Sequence, residues 1–406
     1  MANNSRCSAI VHIPAEVTEE ILAHSLQSSY SWYSEMALKR TLIHTSYFWT
    51  TLVLEINVPT PYLLFLIQRA ISTKKLLDVT IDTGNTIWEG LFGLIPLRAL
   101  GDGGELLRTV FVLTQGQRSL ALILGAMRIG QALRLERVEF SLDAERVLDR
   151  PTALPGIPSP FLTSVSLEKV IPIWDDDGFL NNTKELRLGG FHMTLSWHRL
   201  CAVLTASSKV NSLALLDLRC EGLPILVQPV AMPQVTSFEL LFGHPEDITI
   251  VNYIYMPNAT TVKVIGLRNA PWDLLFDTCS DLLLNAKDLT IALGPGELPS
   301  PTLFYTFPVL SFLDVRNCAL EFVNSIVGHA GSSSDARYPC LQRMVTFGGM
   351  TTETAMAIAA CTGAEKLVLY EALNRVDPYN FCRWTVVGAE VEKLKLYIEN
   401  ERQLRS

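Results

Sequence analysis

The sequence predicts an α/β fold: a right-handed solenoid with a parallel sheet on its concave side and helices on its convex side. Thirteen short segments repeat one pattern of three apolar residues. Two residues separate the first apolar residue from the second, and one residue separates the second from the third. Each segment alternates with the two-residue period of a strand that buries one face. The mean period is about 26 residues, which is typical of leucine-rich repeats.

The predicted strands recur through most of the chain. Their central residues are Val79, Val110, Val138, Val165, Leu186, Leu213, Phe238, Val262, Leu289, Leu313, Met344, Leu367 and Leu394. At the first apolar position only Thr183 is polar, and at the third only Thr346 is. The alternative is an ordinary α/β domain, but such domains do not hold one period through roughly 300 residues.

The stretches between strands predict helices and irregular loops. Apolar residues at three- and four-residue spacing predict helices at 195–208, 273–284 and 351–361. The position that usually carries Asn or Cys holds Cys only at Cys318. We therefore expect uneven curvature, with loops at 151–160 and 328–339 that bulge out of the stack.

Composition restricts the class of protein. Charged residues make up 18% of the 406 residues and the formal net charge is −8, which argues against general affinity for nucleic acid. No apolar run approaches the roughly 18 residues that a membrane span requires, and the polar start does not resemble a secretion signal. The eight cysteines have no paired spacing and are interpreted as reduced thiols. We expect a cytoplasmic or nuclear protein that binds neither nucleic acid nor membranes.

The usual motifs of catalysis are absent from the sequence. It contains no GxxxxGK[ST], HExxH or GxSxG pattern. The acidic segment 175–177 lacks the spacing of a calcium loop and is interpreted as a solvated loop. The sequence therefore predicts a protein that is not an enzyme and that uses no cofactor and no metal.

The first sixty residues differ from the repeats. Short helices are predicted at 13–22, 34–44 and 47–54. In the first of them Pro14 suits the first helical position, and the apolar residues fall on one face. Such helices can form the terminal cap that a repeat array requires.

The same region resembles a known domain. The segment Ile13-Pro14-Ala15-Glu16-Val17-Thr18-Glu19-Glu20-Ile21-Leu22 resembles the opening of an F-box. Thr45-Ser46-Tyr47-Phe48-Trp49-Thr50-Thr51-Leu52 resembles its close in the large F-box families of mushroom-forming fungi, where irregular leucine-rich repeats follow. The resemblance implies a small all-α F-box-like domain at 11–56 and a domain of about thirteen repeats at 57–406.

The resemblance also implies a function. Members of these families are substrate receptors of Skp–cullin–F-box ubiquitin ligases, in which the F-box docks on a Skp-type adaptor and the repeats hold a protein substrate. The implied adaptor-binding residues are Ile13, Pro14, Val17, Ile21, Leu22 and Trp49. The alternative is a leucine-rich-repeat interaction scaffold whose N-terminal helices are only a cap.

The outward positions of the strands predict where a partner binds. The last three strands would expose a shared apolar and aromatic patch, and such patches mark interaction sites unless a loop or the C-terminal tail covers them. The patch consists of Val345, Phe347, Val368, Tyr370 and Tyr397. A second, polar strip is interpreted as a solvated face and is the next candidate. It consists of Glu139, Glu168, Arg187, Glu239 and Lys263.

Overall fold

The fold was analysed in a computed structural model of the chain. It describes residues 50–55, 60–83, 91–142, 152–153, 159–170, 172–173, 180–223, 228–267, 270–278, 285–293, 309–317, 343–347, 366–374 and 377–387. Within these residues the chain divides into two compact units. One contains residues 50–162 with 172–173, and the other contains residues 163–170 with 180–387.

Strands and helices follow one another in a regular order. The strands are β1 (Thr51–Glu55), β2 (Leu77–Asp82), β3 (Leu107–Thr114), β4 (Arg137–Leu142), β5 (Thr152–Ala153), β6 (Ser164–Glu168), β7 (Pro172–Ile173), β8 (Glu185–Ser196), β9 (Ser212–Glu221), β10 (Val230–Ala231), β11 (Ser237–Phe242), β12 (Ile254–Tyr255), β13 (Thr261–Gly266), β14 (Asp288–Leu293), β15 (Phe312–Asn317), β16 (Arg343–Phe347), β17 (Lys366–Asn374) and β18 (Asp377–Val387). The α-helices are α1 (Thr60–Ser72), α2 (Leu91–Gly101), α3 (Gln117–Ala126), α4 (Trp197–Ala206), α5 (Pro245–Thr249) and α6 (Trp272–Thr278). Short 3₁₀ turns lie at Gly104–Leu106, Ile129–Gln131 and Ile250–Tyr253.

The first unit is built from strands that pair in chain order. β1 pairs with β2, β2 with β3 and β3 with β4, and all three pairings are parallel. Leu52 and Leu54 on β1 and Val79 and Ile81 on β2 are almost fully buried, because alternate side chains of a strand face the core. The connecting helices α1, α2 and α3 bury apolar residues such as Ile67.

The second unit contains nine consecutive parallel strands. In order they are β6, β8, β9, β11, β13, β14, β15, β16 and β17. β18 then pairs with β17 in the antiparallel sense. β10 and β12 form a separate two-stranded parallel pair, and β5 with β7 forms another in the first unit.

A backbone hydrogen-bond ladder joins successive repeats of the second unit at the amino ends of the strands. The Lys184 carbonyl accepts the N–H groups of Asn211 and Ser212 at 2.8 and 3.0 Å. The Asn211 carbonyl accepts those of Thr236 and Ser237 at 2.9 and 3.0 Å. The same arrangement recurs at the carbonyls of Thr163, Thr236, Thr260 and Lys287. Main-chain groups therefore help to hold successive repeats in register at this end of the strands.

The α/β class and twelve of the thirteen predicted strands are confirmed. The thirteenth, centred on Leu394, lies outside the described residues, as does the helix predicted at 351–361. The helix predicted at 195–208 is α4, and the described part of the one predicted at 273–284 is α6. The right-handed sense of the repeats stays a prediction.

Two features of the fold differ from the sequence prediction. The helix predicted at 47–54 is wrong over its described residues, because Thr51–Glu55 is strand β1 and pairs with β2. In β1 the buried Leu52 and Leu54 alternate with the exposed Thr51 and Val53, which is the pattern of a half-buried strand. Within the loop expected at 151–160, Thr152–Ala153 forms β5. The domain boundary predicted after residue 56 lies outside the described residues.

Candidate functional site

The strands of the second unit have one buried face and one open face. On β11 the side chains of Phe238, Leu240 and Phe242 are at most 2% exposed, whereas those of Glu239 and Leu241 between them are half-buried. β13 beside it has the same alternation, so the side chains between the buried positions of these two strands share one surface. Strand pairing continues this surface onto β9, where Leu216 is half-buried and Ala214 is buried. We call this surface the open face.

Strand pairing aligns the residues that lie between the apolar core positions of the repeats in rows. The central row contains the residue between the second and third apolar positions of each repeat. Its members are Ser166, Arg187, Ala214, Glu239, Lys263, Thr290, Asp314, Val345 and Val368. Every pair of neighbours in this row is a pair of register partners, so the predicted alignment of the repeats is confirmed.

The central row brings three charged residues of the predicted polar strip together. The Lys263 ammonium donates a hydrogen bond of 2.8 Å to Glu239 Oε1, and Arg187 Nη1 lies 3.6 Å from Glu239 Oε2. The Glu239 side chain is 19% exposed, against 53% for Arg187 and 45% for Lys263. The carboxylate is therefore enclosed by two cations that remain accessible to solvent. We call these three residues the ion cluster.

The other two residues of that strip lie elsewhere. Glu139 belongs to β4 in the first unit, where its carboxylate is 3.8 Å from Arg137 Nη2. Glu168 is on β6, two residues beyond Ser166 of the central row, and is the register partner of Gly189. Only part of the strip therefore forms a cluster.

An apolar row lies beside the ion cluster. Leu216, Leu241, Ile265 and Ala292 are register partners on β9, β11, β13 and β14. All four are half-buried on the open face. Their offset from the apolar core positions is visible in the sequence, but no motif there distinguishes them as a binding surface.

A hydroxyl row lies on the other side of the ion cluster. Ser212, Ser237 and Thr261 are register partners at the amino ends of their strands. Glu185 and Asp288 continue this row at its two ends. The open face thus presents hydroxyl, charged and apolar side chains in three parallel rows.

The open side of the first unit has its own ion pair. Arg108 on β3 donates from Nε to Asp78 Oδ1 at 2.9 Å and from Nη2 to Asp78 Oδ2, which makes the pair bidentate. The hydrogen bond to Asp78 raises the pKa of the Arg108 guanidinium above its usual value. This pair links the start of β2 to the start of β3.

The backbone of the predicted C-terminal patch is placed in part. Val345 pairs with Val368 and Phe347 pairs with Tyr370 across β16 and β17. The other edge of β17 pairs with β18, where Arg383 is the register partner of Tyr370. A two-residue connection after Asn374 returns the chain as a hairpin, which forces the antiparallel sense. Tyr397 itself lies outside the described residues. The place of Tyr397 in the patch stays a prediction.

The implied adaptor-binding residues are not placed by the structure. Ile13, Pro14, Val17, Ile21, Leu22 and Trp49 all lie outside the described residues. Their role therefore stays a prediction from the resemblance.

The described residues offer little of the chemistry of a reaction centre. Burial raises the pKa of the Cys220 thiol to about 12, and the charge of Glu221 adds to the effect, so this cysteine is a protonated thiol at neutral pH. Within the described ranges no group of three or more His, Cys, Asp or Glu side chains could hold a metal ion. None of the helices that the structure describes combines the length and apolarity needed to cross a membrane.

Comparisons with known proteins include a structural likeness. No protein family model matches the chain, and no curated protein matches it. The crystal structure of the leucine-rich repeat-containing protein LegL7 from Legionella pneumophila is similar, with 12% identity, coverage of 79% of this chain and 90% of that chain, and a TM-score of 0.37. A TM-score this low carries no argument about fold or function, so the α/β repeat architecture rests on the strand pairing.

Proposed function

We propose that this chain is a non-catalytic receptor that holds a protein partner on the open face of its second unit. The observation that carries the proposal is the ion cluster beside the half-buried apolar row, on neighbouring strands of one sheet. An apolar centre with polar side chains around it is the usual composition of a protein–protein interface. A broad sheet surface also suits a macromolecule better than a small ligand, which usually requires a concave pocket.

Site-specific crosslinking tests this proposal. A photo-crosslinking amino acid placed at Leu241, on the open face, should capture a partner protein in cells. The same amino acid at Leu274, a 36% exposed leucine on α6, is the matched control and should not capture that partner. Capture of the same partner from position 274 alone would reject the open face as the binding surface.

We further propose that the partner is a substrate of a Skp–cullin–F-box ubiquitin ligase. The support is the resemblance of 13–22 and 45–52 to the two ends of an F-box. In this proposal the apolar face around Ile21 docks on the Skp-type adaptor, and the adaptor links the chain to the cullin ligase. A plain interaction scaffold, with the N-terminal helices as a cap, is the competing function.

Co-purification with the adaptor separates these two functions. The full chain should co-purify with a co-expressed Skp-type adaptor, and Pro14→Ala combined with Ile21→Asp should abolish this, because an unpaired carboxylate at an apolar contact costs several kcal/mol, roughly. Ile95→Asp is the control, since Ile95 is a 42% exposed isoleucine on α2. Failure of the unmodified chain to bind the adaptor would favour the scaffold, whereas undiminished binding by the double variant would reject the contact face.

A further inference from the structure

The ion cluster presents hydrogen-bond donors to the solvent. Both carboxylate oxygens of Glu239 face cations, Oε1 at 2.8 Å from Lys263 and Oε2 at 3.6 Å from Arg187. An ammonium has three donors and a guanidinium has five, so most donors of Lys263 and Arg187 are not used by Glu239. The cluster carries one net positive charge, and its accessible atoms belong mainly to the two cations.

A small residue makes this arrangement possible. Arg187 on β8 and Glu239 on β11 are separated by β9, where the intervening member of the central row is Ala214. Two strand spacings amount to about 9.6 Å, which a guanidinium and a carboxylate can bridge only if no long side chain stands between them. The methyl group of Ala214 leaves that space to the Arg187 side chain.

The apolar row lies at a fixed distance from these donors. Leu241 and Ile265 follow Glu239 and Lys263 by two residues on the same strands. Two residues of a strand span about 6.6 Å, and adjacent strands lie about 4.8 Å apart. A partner segment that contacts both rows therefore needs an anionic group and an apolar side chain about 6 to 7 Å apart.

We infer that the open face selects a protein segment in which an Asp or Glu side chain lies close to aliphatic or aromatic side chains. The inference rests on the proposed function and adds the chemistry of the partner. The carboxylate of the segment would lie on the solvent side of Glu239, where it accepts hydrogen bonds from the donors of Arg187 and Lys263 that Glu239 does not use. The apolar side chains of the segment would pack on Leu216, Leu241 and Ile265. Glu185 and Asp288 at the ends of the hydroxyl row would repel a carboxylate placed on that row. The charge pattern therefore directs the carboxylate of the segment to the ion cluster.

Peptide selection on the full chain tests this inference. A phage-displayed library of random peptides is selected on the unmodified protein, and each enriched peptide is then measured against Leu241→Ser. Peptides that depend on Leu241 should be enriched in Asp or Glu near Leu, Ile, Val or Phe. Arg187→Glu combined with Lys263→Glu should weaken their binding by about tenfold or more, and exchange of their acidic residue for Lys should restore binding to this double variant.

A control and the contrary outcomes complete the test. Arg199→Glu combined with Lys209→Glu changes the net charge equally at two exposed residues outside the three rows, and should leave binding unchanged. If peptides depend on Leu241 but are not acidic, or ignore the charge reversal, the inference fails and the proposed function stands. If no enriched peptide depends on Leu241, both fail.

Discussion

Phe347 and Tyr370 are register partners on the neighbouring parallel strands β16 and β17. Register partners of parallel strands lie about 4.8 Å apart. Two large aromatic residues at such positions can act together as an anchor for a partner, because truncation of a hot-spot aromatic typically costs about 2 kcal/mol or more.

Replacement of both aromatics should therefore weaken partner binding. We expect Phe347→Ala combined with Tyr370→Ala to raise the dissociation constant of the captured partner by more than about thirtyfold, as measured by isothermal titration calorimetry. Tyr255→Ala is the control, since Tyr255 is 58% exposed on β12. Unchanged affinity of the double variant would remove this patch from the binding surface and leave the ion cluster and apolar row.

Removal of a buried hydroxyl should stabilise the second unit. Thr183 occupies the first apolar position of its repeat and is 0% exposed. Its Oγ1 has no hydrogen-bond partner among the described residues. A buried polar group without a partner costs free energy, and valine has almost the same shape, so Thr183→Val should raise the free energy of unfolding by about 1 kcal/mol in urea titrations. A loss of stability in Thr183→Val would mean that the hydroxyl has a partner.

A left-handed backbone position recurs at the ends of successive strands. Lys169 directly follows β6, Gly190 occupies the equivalent position within β8, and their φ angles are 58° and 66°. A Cβ added at Gly190 would lie 2.8 Å from Lys169 Cγ. Gly190→Ala should therefore destabilise the protein by about 1 to 3 kcal/mol, because it combines an unfavourable φ with a steric clash.

A second substitution separates the two causes. Lys169→Gly removes the Cγ that a Cβ at 190 would meet at 2.8 Å, so it should recover the part of the loss due to that contact in the Gly190→Ala background. The part due to φ and to the contact with Glu168 Cγ at 3.2 Å should remain. A thermodynamic cycle of the two single variants and the double variant measures the coupling. Strictly additive effects would contradict the predicted contact.

A buried carboxyl predicts a specific pH dependence. Asp247 is 2% exposed, and its Oδ2 accepts the N–H groups of Gly243 and His244, each at 2.9 Å. Burial raises the pKa of this carboxyl; the two N–H donors and the charge of His244 oppose the rise, and the charge of Asp217 adds to it. The folded state therefore holds the proton more tightly than the unfolded state, so stability falls as the pH rises from the ordinary value of 3.8 through the raised one.

Asp247→Asn should remove this pH dependence. The amide keeps an oxygen acceptor for the two N–H groups but carries no charge. The free energy of unfolding of both proteins is measured by urea titrations from about pH 4 to about pH 8. The variant should gain stability relative to the unmodified chain as the pH rises, and the difference between the two free energies should become constant above the raised pKa. A difference that shrinks with rising pH would contradict the direction of the shift.

The repeat pattern was sufficient to predict where the strands lie and which residues share a face. The pattern works because each apolar triplet must alternate in order to bury one side, as Phe238 and Leu240 do. It did not predict β1, since Thr51 and Leu52 also belong to the F-box resemblance and 47–54 was predicted to be a helix. It did not predict β18, because an antiparallel strand at the edge of the sheet does not follow the repeat period.

The site was harder to predict than the fold. Arg187, Glu239 and Lys263 were identified as one polar strip, but the sequence does not show that two cations converge on one carboxylate. That convergence depends on strand order and on the small side chain of Ala214 between them. The strand pairing is what separates these three residues from Glu139, which the sequence analysis had placed in the same strip.

The central claim is that the open face of the second unit binds the protein partner. The most direct test introduces one positive charge on the open face and, in a separate variant, one on helix α6. The measurement is the dissociation constant of the crosslinked partner for Leu241→Arg and for Leu274→Arg, with circular dichroism to verify folding. We predict that Leu241→Arg weakens binding by at least about tenfold and Leu274→Arg by less than about twofold. Equal losses from both variants, or a loss from Leu274→Arg alone, would contradict the claim.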